Sequence, residues 1–262
     1  MFAFGENWNS FSRLVTEDRI KSAEEGLLRL FPKGELSAKP FFDIGCGSGL
    51  SMVAALRLGA SEAHGIDVDA DSVSTSRRTL ERFAGGKQFS IRHQSVFDLS
   101  PERDGRYPIV YSWGVLHHTG SMWHAIENAA HLVAEGGQLF IAIYNDQGRR
   151  SDSWRRIKRL YCSGQAGRLF VSSLFLPYFA AATAAEDLKH AQNPLRRYIT
   201  EGTGPARGMS VVRDWVDWLG GYPFEVARPE QVFDFVHARG FELTKLKTTT
   251  SLGCNEFVFR HL

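Results

Sequence analysis

The stretch FFDIGCGSGL (41–50) sets Asp43 at the end of an apolar run and Gly45, Gly47 and Gly49 at alternate positions after it. Glycines so spaced let a backbone bend sharply and approach a ligand without Cβ interference. Two kinds of cofactor use such a bend. A dinucleotide is held by GxGxxG, with its pyrophosphate on a helix N-terminus, whereas the spacing here is GxGxG. Asp43 tips the choice, because a carboxylate before the bend disfavours a diphosphate and suits a cationic amino-acid group. Asp67, in HGIDVD and 18 residues past Gly49, is placed to accept two ribose hydroxyls as a bidentate carboxylate. S-Adenosylmethionine, with its α-ammonium, sulfonium and ribose, satisfies these features together. A nicotinamide dehydrogenase would also need a proton-relay pair such as Tyr-x-x-x-Lys, which is absent from the sequence.

A second group of residues could move a proton. Transfer of an activated methyl group is an in-line displacement, so a protein has mainly to align the acceptor and remove its proton. For an oxygen acceptor a base of near-neutral pKa helps, and histidine is the usual choice. GVLHHTGSMWH (114–124) supplies His117 and His118, with His117 preferred as the site-facing ring and His124 read as structural. Tyr144 and Asn145, in IAIYNDQG, would orient a polar acceptor with a phenol and an amide.

These residues need a frame. From Lys39 to Tyr144 short apolar runs (PFFDIG, EAHGIDV, FSIRHQSV, YPIVYSW, GQLFIAIY) alternate with LSMVAALRLGA, DADSVSTSRRTLERFA and SMWHAIENAAHLVAEGG, whose apolar residues recur at three- and four-residue spacing. That alternation marks an α/β fold with a doubly wound, mostly parallel sheet, whose ligands sit beyond the carboxyl ends of the strands. PEQVFDFVHARGF reads as a helix opened by Pro229 and closed by Gly240, and ELTKLKTTT and CNEFVFRHL complete seven strands. The expected organisation is an N-terminal arm and helix (1–38), a core (39–144 and 228–262), and a helical insertion (145–227) between strand 5 and the last helix.

The core resembles a class I S-adenosylmethionine-dependent methyltransferase, of the subgroup of ubiquinone-pathway O-methyltransferases. FDIGCGSG is similar to that family's first motif, GIDVD to its second, and YSWGVLHHTG to the segment where donor and acceptor meet. The likeness covers roughly half the chain and implies a Rossmann-like sheet. It also implies that Asp43, Gly45, Cys46, Gly47 and Gly49 line the methionine side of the cofactor, Asp67 and Val68 the ribose and adenine, Ser95 and Val96 the adenine edge, with Ser112 and Trp113 beside them. Many relatives have an acid where this chain has Ser95; Asp98 lies three residues on. Some of the subgroup carry acid-x-x-acid-His where this chain has Gly114, His117 and His118. Two adjacent histidines make a poor magnesium site, so no metal is expected.

The aromatics of FAFGENWNSF cannot all be left in water, and Phe4 and Trp8 would cover the sulfonium as the N-terminal segment does in relatives. In the insertion, RRSDSWRRIKRL holds six cations, a solvated face or a lure for anionic groups. LFVSSLFLPYFAAATAA (169–185) falls short of the roughly 20 residues of a membrane span and carries Pro177, so a buried or acceptor-facing helix is expected. DWVDWLGGYPFEVARPEQ and LGCNEF offer Tyr222, Glu225 and Asn255 as further acceptor contacts.

Composition adds little and excludes some classes. With 43% hydrophobic and 23% charged residues the chain reads as globular, and a formal charge of +2 gives no case for nucleic acid. Three scattered cysteines and an N-terminus without a secretory pattern fit a cytoplasmic protein, with peripheral membrane contact through the insertion. Oligomeric state is not legible. The expected activity is methylation of a hydroxyl on a small-molecule or lipid-linked, amphiphilic acceptor, leaving S-adenosylhomocysteine. The alternatives are methylation of nitrogen or carbon, or a non-catalytic S-adenosylmethionine-binding regulator.

Overall fold

The computed structural model describes residues 15–190, 193 and 211–262, so Phe4 and Trp8 lie outside the described residues. The chain divides into two compact units, one of Ala3–Ser151 with Glu225–Leu262 and the other including Asp152–Phe224.

The first unit is built on strands β1 (Phe41–Ile44), β2 (Glu62–Asp67), β3 (Gln88–His93), β4 (Tyr107–Trp113), β5 (Val133–Tyr144), β6 (Phe241–Lys247) and β7 (Cys254–His261). They form one seven-stranded sheet in the order β3-β2-β1-β4-β5-β7-β6. The first five strands run parallel, and β7 is antiparallel to both β5 and β6. The burial patterns follow from that order. All four residues of β1 are buried, as a central strand covered on both faces requires, whereas edge strand β3 is mostly exposed and polar.

From β1 the chain winds outward through β2 and β3, then returns to lay β4 on the other side of β1, with Asp43 level with Tyr111. Such a reversal opens a crevice beyond the carboxyl ends of the two central strands. The glycine bend leaves β1 there, and the His117–His118 turn leaves β4 there.

Helices α1 (Glu17–Leu30), α2 (Leu50–Arg57), α3 (Ala70–Phe83), α4 (Met122–His131) and the later helix Pro229–His237 accompany the sheet. Helix α1 has Glu17 and Asp18 in its first turn and Arg29 in its last, each favourable to the helix dipole. It packs against α2, where Arg57 donates to Glu17 at 2.6 Å. One face of the sheet buries Phe42, Val110, Leu139 and Phe257 with Ala125, Ile126 and Ala129 of α4.

One boundary differs from the periodic pattern. SMWHAIENAAHLVAEGG reads as helix throughout, yet α4 stops at His131 and β5 starts at Val133. Burial of Leu132 and Val133 in the core competes with helix continuation, and Gly136 takes φ 69° to turn the chain into the sheet.

Helix α5 (Arg149–Tyr161) leads into the second unit, which also holds α6 (Gln165–Lys189) and α7 (Val211–Gly220). The last helix of the chain, Pro229–His237, is therefore α8. The second unit is organised around Trp154, whose ring lies 5.4 Å from that of Phe175 and 5.5 Å from that of Trp218. Tyr161, Val171 and Leu219 are the buried members of this small core.

Two expectations are corrected here. Helix α6 is not a buried helix: it runs through Pro177 for 25 residues, and Leu169, Phe170, Leu174, Tyr178 and Leu188 are exposed. The basic run of α5 is not simply a solvated face either. Lys158 is fully buried, its ammonium donating to the Trp218 carbonyl and lying 4.0 Å from the centre of the Trp218 ring and 4.9 Å from that of Phe224. Burial draws its pKa down to about 7.

Candidate functional site

The bend after β1 is held from below and from the side. Gly45, Gly47 and Gly49 adopt φ of 77°, 53° and 77°, left-handed values that favour glycine. A Cβ at Gly45 would meet Val115 Cγ2 at 2.4 Å, and one at Gly49 would meet the Ser76 backbone at 3.1 Å. The glycines thus serve close packing as well as backbone conformation. The N–H groups of Gly45 and Cys46 donate to the Ile66 carbonyl at 2.8 and 3.0 Å, tying the bend to β2. The Cys46 side chain is buried beneath the bend and takes a hydrogen bond from Ser76 Oγ at 3.4 Å, so its thiol supports the bend from within.

Two carboxyl groups flank this bend. Asp43 is 3% exposed. Its pKa is pushed up to about 8, first by burial and then by the neighbouring charge of Asp67. Asp67 is also raised, chiefly by burial and against the hydrogen bonds it accepts. Its Oδ2 takes the Gly47 N–H and its Oδ1 the Asp69 N–H, both at 3.0 Å. Asp67 thus braces the bend, and a carboxylate's four lone-pair sites leave it the capacity to accept from a hydroxyl as well.

Along the adjacent rim the predicted residues separate. Val68 is 58% exposed beside Asp67, and Trp113 is half-buried at the end of β4. Val96, by contrast, buries its side chain in the sheet core, leaving only its backbone for an adenine edge. Ser95 Oγ accepts the Phe97 N–H at 3.2 Å and caps a short helical turn. Ser112 is buried, donating to the Ile44 carbonyl at 3.0 Å, and stitches β4 to β1 rather than facing a ligand. Phe97 was not singled out by sequence reasoning, yet its ring is 37% exposed and packs 5.2 Å from His124. Its position directly after Ser95 and Val96 was the available signal.

Beyond the end of β4 comes the turn Leu116–His118. The His117 ring lies 4.0 Å from the Tyr144 ring and 4.5 Å from the His118 ring, centre to centre. The preference for His117 is reversed: His117 is fully buried among these rings, and His118 is the partly exposed imidazole. Glu225 also departs from its expected role. Its carboxylate accepts the Met122 N–H through Oε1 and Oε2 at 3.2 and 3.1 Å, at the N-terminus of α4 where negative charge is favoured. Its own N–H donates to the His117 carbonyl at 3.0 Å, so Glu225 fixes the histidine turn.

Asn145 and Asn255 are likewise spent on the fold. Asn255 Nδ2 donates to Asn145 Oδ1 at 3.1 Å, Asn145 Nδ2 to the Thr249 carbonyl at 2.9 Å, and the Thr249 N–H to Asn255 Oδ1 at 3.0 Å. Buried amides need such partners, and this ring of bonds clamps the loop between β6 and β7 to the end of β5. Tyr222, in the second unit, accepts from Arg159 at 3.1 Å. The site of the first unit therefore brings together Asp43, the glycine bend, Asp67, the two histidines and Tyr144. Among the described residues no group of three or more His, Cys, Asp or Glu side chains is arranged to hold a metal.

The family model for the methyltransferase domain matches residues 15–170. The chain belongs to the methyltransferase domain family. This methyltransferase domain is 34% identical over 111 residues to the ubiquinone biosynthesis O-methyltransferase of Xanthomonas euvesicatoria pv. vesicatoria (strain 85-10), covering 42% of the chain and 45% of that protein. It is 28% identical over 121 residues to the protein of that name from Cronobacter sakazakii (strain ATCC BAA-894), covering 46% and 47%. The matched stretch thus spans less than half the length of these curated relatives.

Among solved structures, magnesium protoporphyrin IX methyltransferase from Synechocystis PCC 6803 with bound SAH shares the fold at a TM-score of 0.55 and 15% identity, over 93% of this chain and 82% of that one. An O-methyltransferase family protein from Burkholderia thailandensis does so at 0.55 and 12%, over 97% and 58%. At such identities the likeness is one of fold, and it agrees with the Rossmann-like sheet of this methyltransferase domain.

Proposed function

We propose that the chain transfers a methyl group from S-adenosylmethionine to a hydroxyl of a small or amphiphilic acceptor, releasing S-adenosylhomocysteine. The observation that carries this reading is the pair of acids at the bend. A buried carboxyl held near pH 8 by its surroundings and by a second acid is costly to ionise alone. A ligand that brings a cation relieves both causes at once, whereas a diphosphate would add to the repulsion. Asp43 and the Gly45 carbonyl would hold the amino-acid end, and Asp67 the ribose hydroxyls. Val68 and Phe97 would border the base.

When bound, S-adenosylmethionine supplies a methyl group already activated by its sulfonium. The protein's part is then to place the acceptor and receive its proton. His118 would take that proton on a ring nitrogen, with His117 and Tyr144 packed behind it to fix the ring plane. Glu225 would act as a positioning residue, through its hydrogen bond to the His117 carbonyl. The names of the curated relatives support oxygen as the acceptor atom. A cytoplasmic location with access to lipid-linked acceptors is part of the same proposal.

The test is direct. His118→Ala should retain S-adenosylhomocysteine binding in calorimetry and lose methyl transfer by at least a hundredfold, whereas full turnover in His118→Ala would remove the histidine from the mechanism. Binding of S-adenosylhomocysteine without turnover on any hydroxylated acceptor would favour a regulatory protein instead.

A further inference from the structure

Between Leu169 and Ala185, helix α6 carries apolar side chains on both its packed and its exposed sides. Val171, Phe175, Leu176 and Phe179 belong to the core with Trp154 and Trp218. On the opposite side Phe170, Leu174, Tyr178 and Leu188 are exposed, and Pro177, Ala181 and Ala185 lie between them. These residues recur at three- and four-residue spacing and form one stripe along the helix. Their solvent exposure is not that of scattered surface residues. From Leu169 to Ala185 the helix carries no charge. By length and composition the helix could cross a membrane, but its other face is engaged in a protein core, so a surface-lying orientation fits it better.

The charge next to the stripe identifies the occupant. At the hairpin between α5 and α6 the position of Gly167 is so close to α5 that a Cβ there would touch the Leu160 carbonyl. That contact gathers Arg159, Leu160, Arg168 and Leu169 at one corner, with Arg156 a turn earlier, and all of these side chains are exposed. A basic corner running into an apolar stripe is the pattern of a helix lying in an anionic lipid interface. A second copy of the chain is a poorer match. At 1.5 Å per residue the stripe is about 27 Å long, and at a width of roughly 10 Å two such faces would bury about 500 Å², well below a stable dimer interface.

We infer that α6 docks on an anionic lipid surface, its Phe170–Leu188 stripe sunk among the acyl chains near the headgroups and the Arg156–Arg159–Arg168 corner on the headgroups. This surface is independent of methyl transfer, and its test needs no turnover.

The full chain should co-float with vesicles of phosphatidylcholine containing about a third phosphatidylglycerol, and float poorly with phosphatidylcholine alone. Leu174→Glu combined with Tyr178→Glu, both on the exposed stripe, should reduce flotation at least tenfold while leaving the circular dichroism and melting temperature unchanged. Arg156→Glu with Arg168→Glu should move release from the vesicles to lower salt. Wild-type protein that stays unbound to both vesicles overturns the inference, as does a stripe variant that floats like the wild type. Equal flotation on neutral vesicles overturns the headgroup assignment. Concentration-dependent self-association in sedimentation velocity, abolished by the stripe substitutions, would assign the stripe to a second copy and overturn the lipid assignment.

Discussion

Replacing Asp43 by asparagine should make the ligand-free protein more stable while weakening its hold on a cationic ligand. The Asp43 carboxyl titrates near its ordinary 3.8 in the unfolded chain and at about 8 in the folded one. Because the folded value is the higher, Asp43 carries no penalty below about pH 4, and stability is lost as pH rises from there to about 8. At pH 7 the difference from the ordinary value is about 3 units, which at 1.36 kcal/mol each corresponds to roughly 4 kcal/mol as an upper bound. Asparagine never ionises, so Asp43→Asn should recover part of that sum at pH 7 and flatten the slope between pH 4.5 and 8.

Urea unfolding of both proteins across this range measures it, the midpoint shifting while the denaturant slope stays constant. The same group governs binding. With a pKa of about 8 only about a tenth of the wild-type protein holds Asp43 ionised at pH 7, so affinity for S-adenosylmethionine should rise about tenfold between pH 7 and 9. Calorimetry in buffers of different ionisation enthalpy should show a proton released on binding. An Asp43→Asn protein that is less stable than wild type at pH 7, or an affinity that ignores pH, would refute the assignment of this carboxyl as a neutral group awaiting a cation.

Gly45→Ala should cost about 1–3 kcal/mol in thermal melts, since it combines a φ of 77° with a Cβ 2.4 Å from Val115; Val115→Ala in the same chain should restore part of the loss. Asn255→Ala should destabilise by about 1–3 kcal/mol, because it strips partners from Asn145 and the Thr249 N–H. Faster hydrogen exchange confined to residues 248–253 would show where the clamp acted. Lys158 has a folded pKa of about 7 against its ordinary 10.5, so the unfolded chain binds more protons between those values and its contribution makes stability rise with pH across that window. Lys158→Met should remove that rise in denaturant titrations, and an unchanged pH dependence would place the ammonium in water.

The parts of this protein that were legible in its sequence are those governed by local chemistry. Alternating apolar runs and helical spacings identified the seven strands in order, because a central parallel strand such as FFDI must be apolar on both faces. The bend could be read from three glycines and two acids, whose backbone conformation and charge act over a few residues. The longer-range assignments fared differently. Glu225 meets Met122, and Asn255 meets Asn145, across more than a hundred residues of chain. A polar residue near a predicted site looks the same whether it awaits a ligand or is satisfied by a distant backbone group.

The same distinction explains the insertion. Sequence alone determined that residues 169–185 are apolar and that 149–159 are basic. Only tertiary contacts decided which side of α6 meets Trp154 and Trp218, and that Lys158, one cation in a run of six, is the one drawn under Trp218. Hydrophobicity sets how much free energy burial can yield, whereas the face that receives it is chosen by neighbours brought close through folding. His117 and His118 show this at its smallest scale: two identical side chains, adjacent in the chain, became a packed ring and an accessible one because a turn points consecutive residues in different directions.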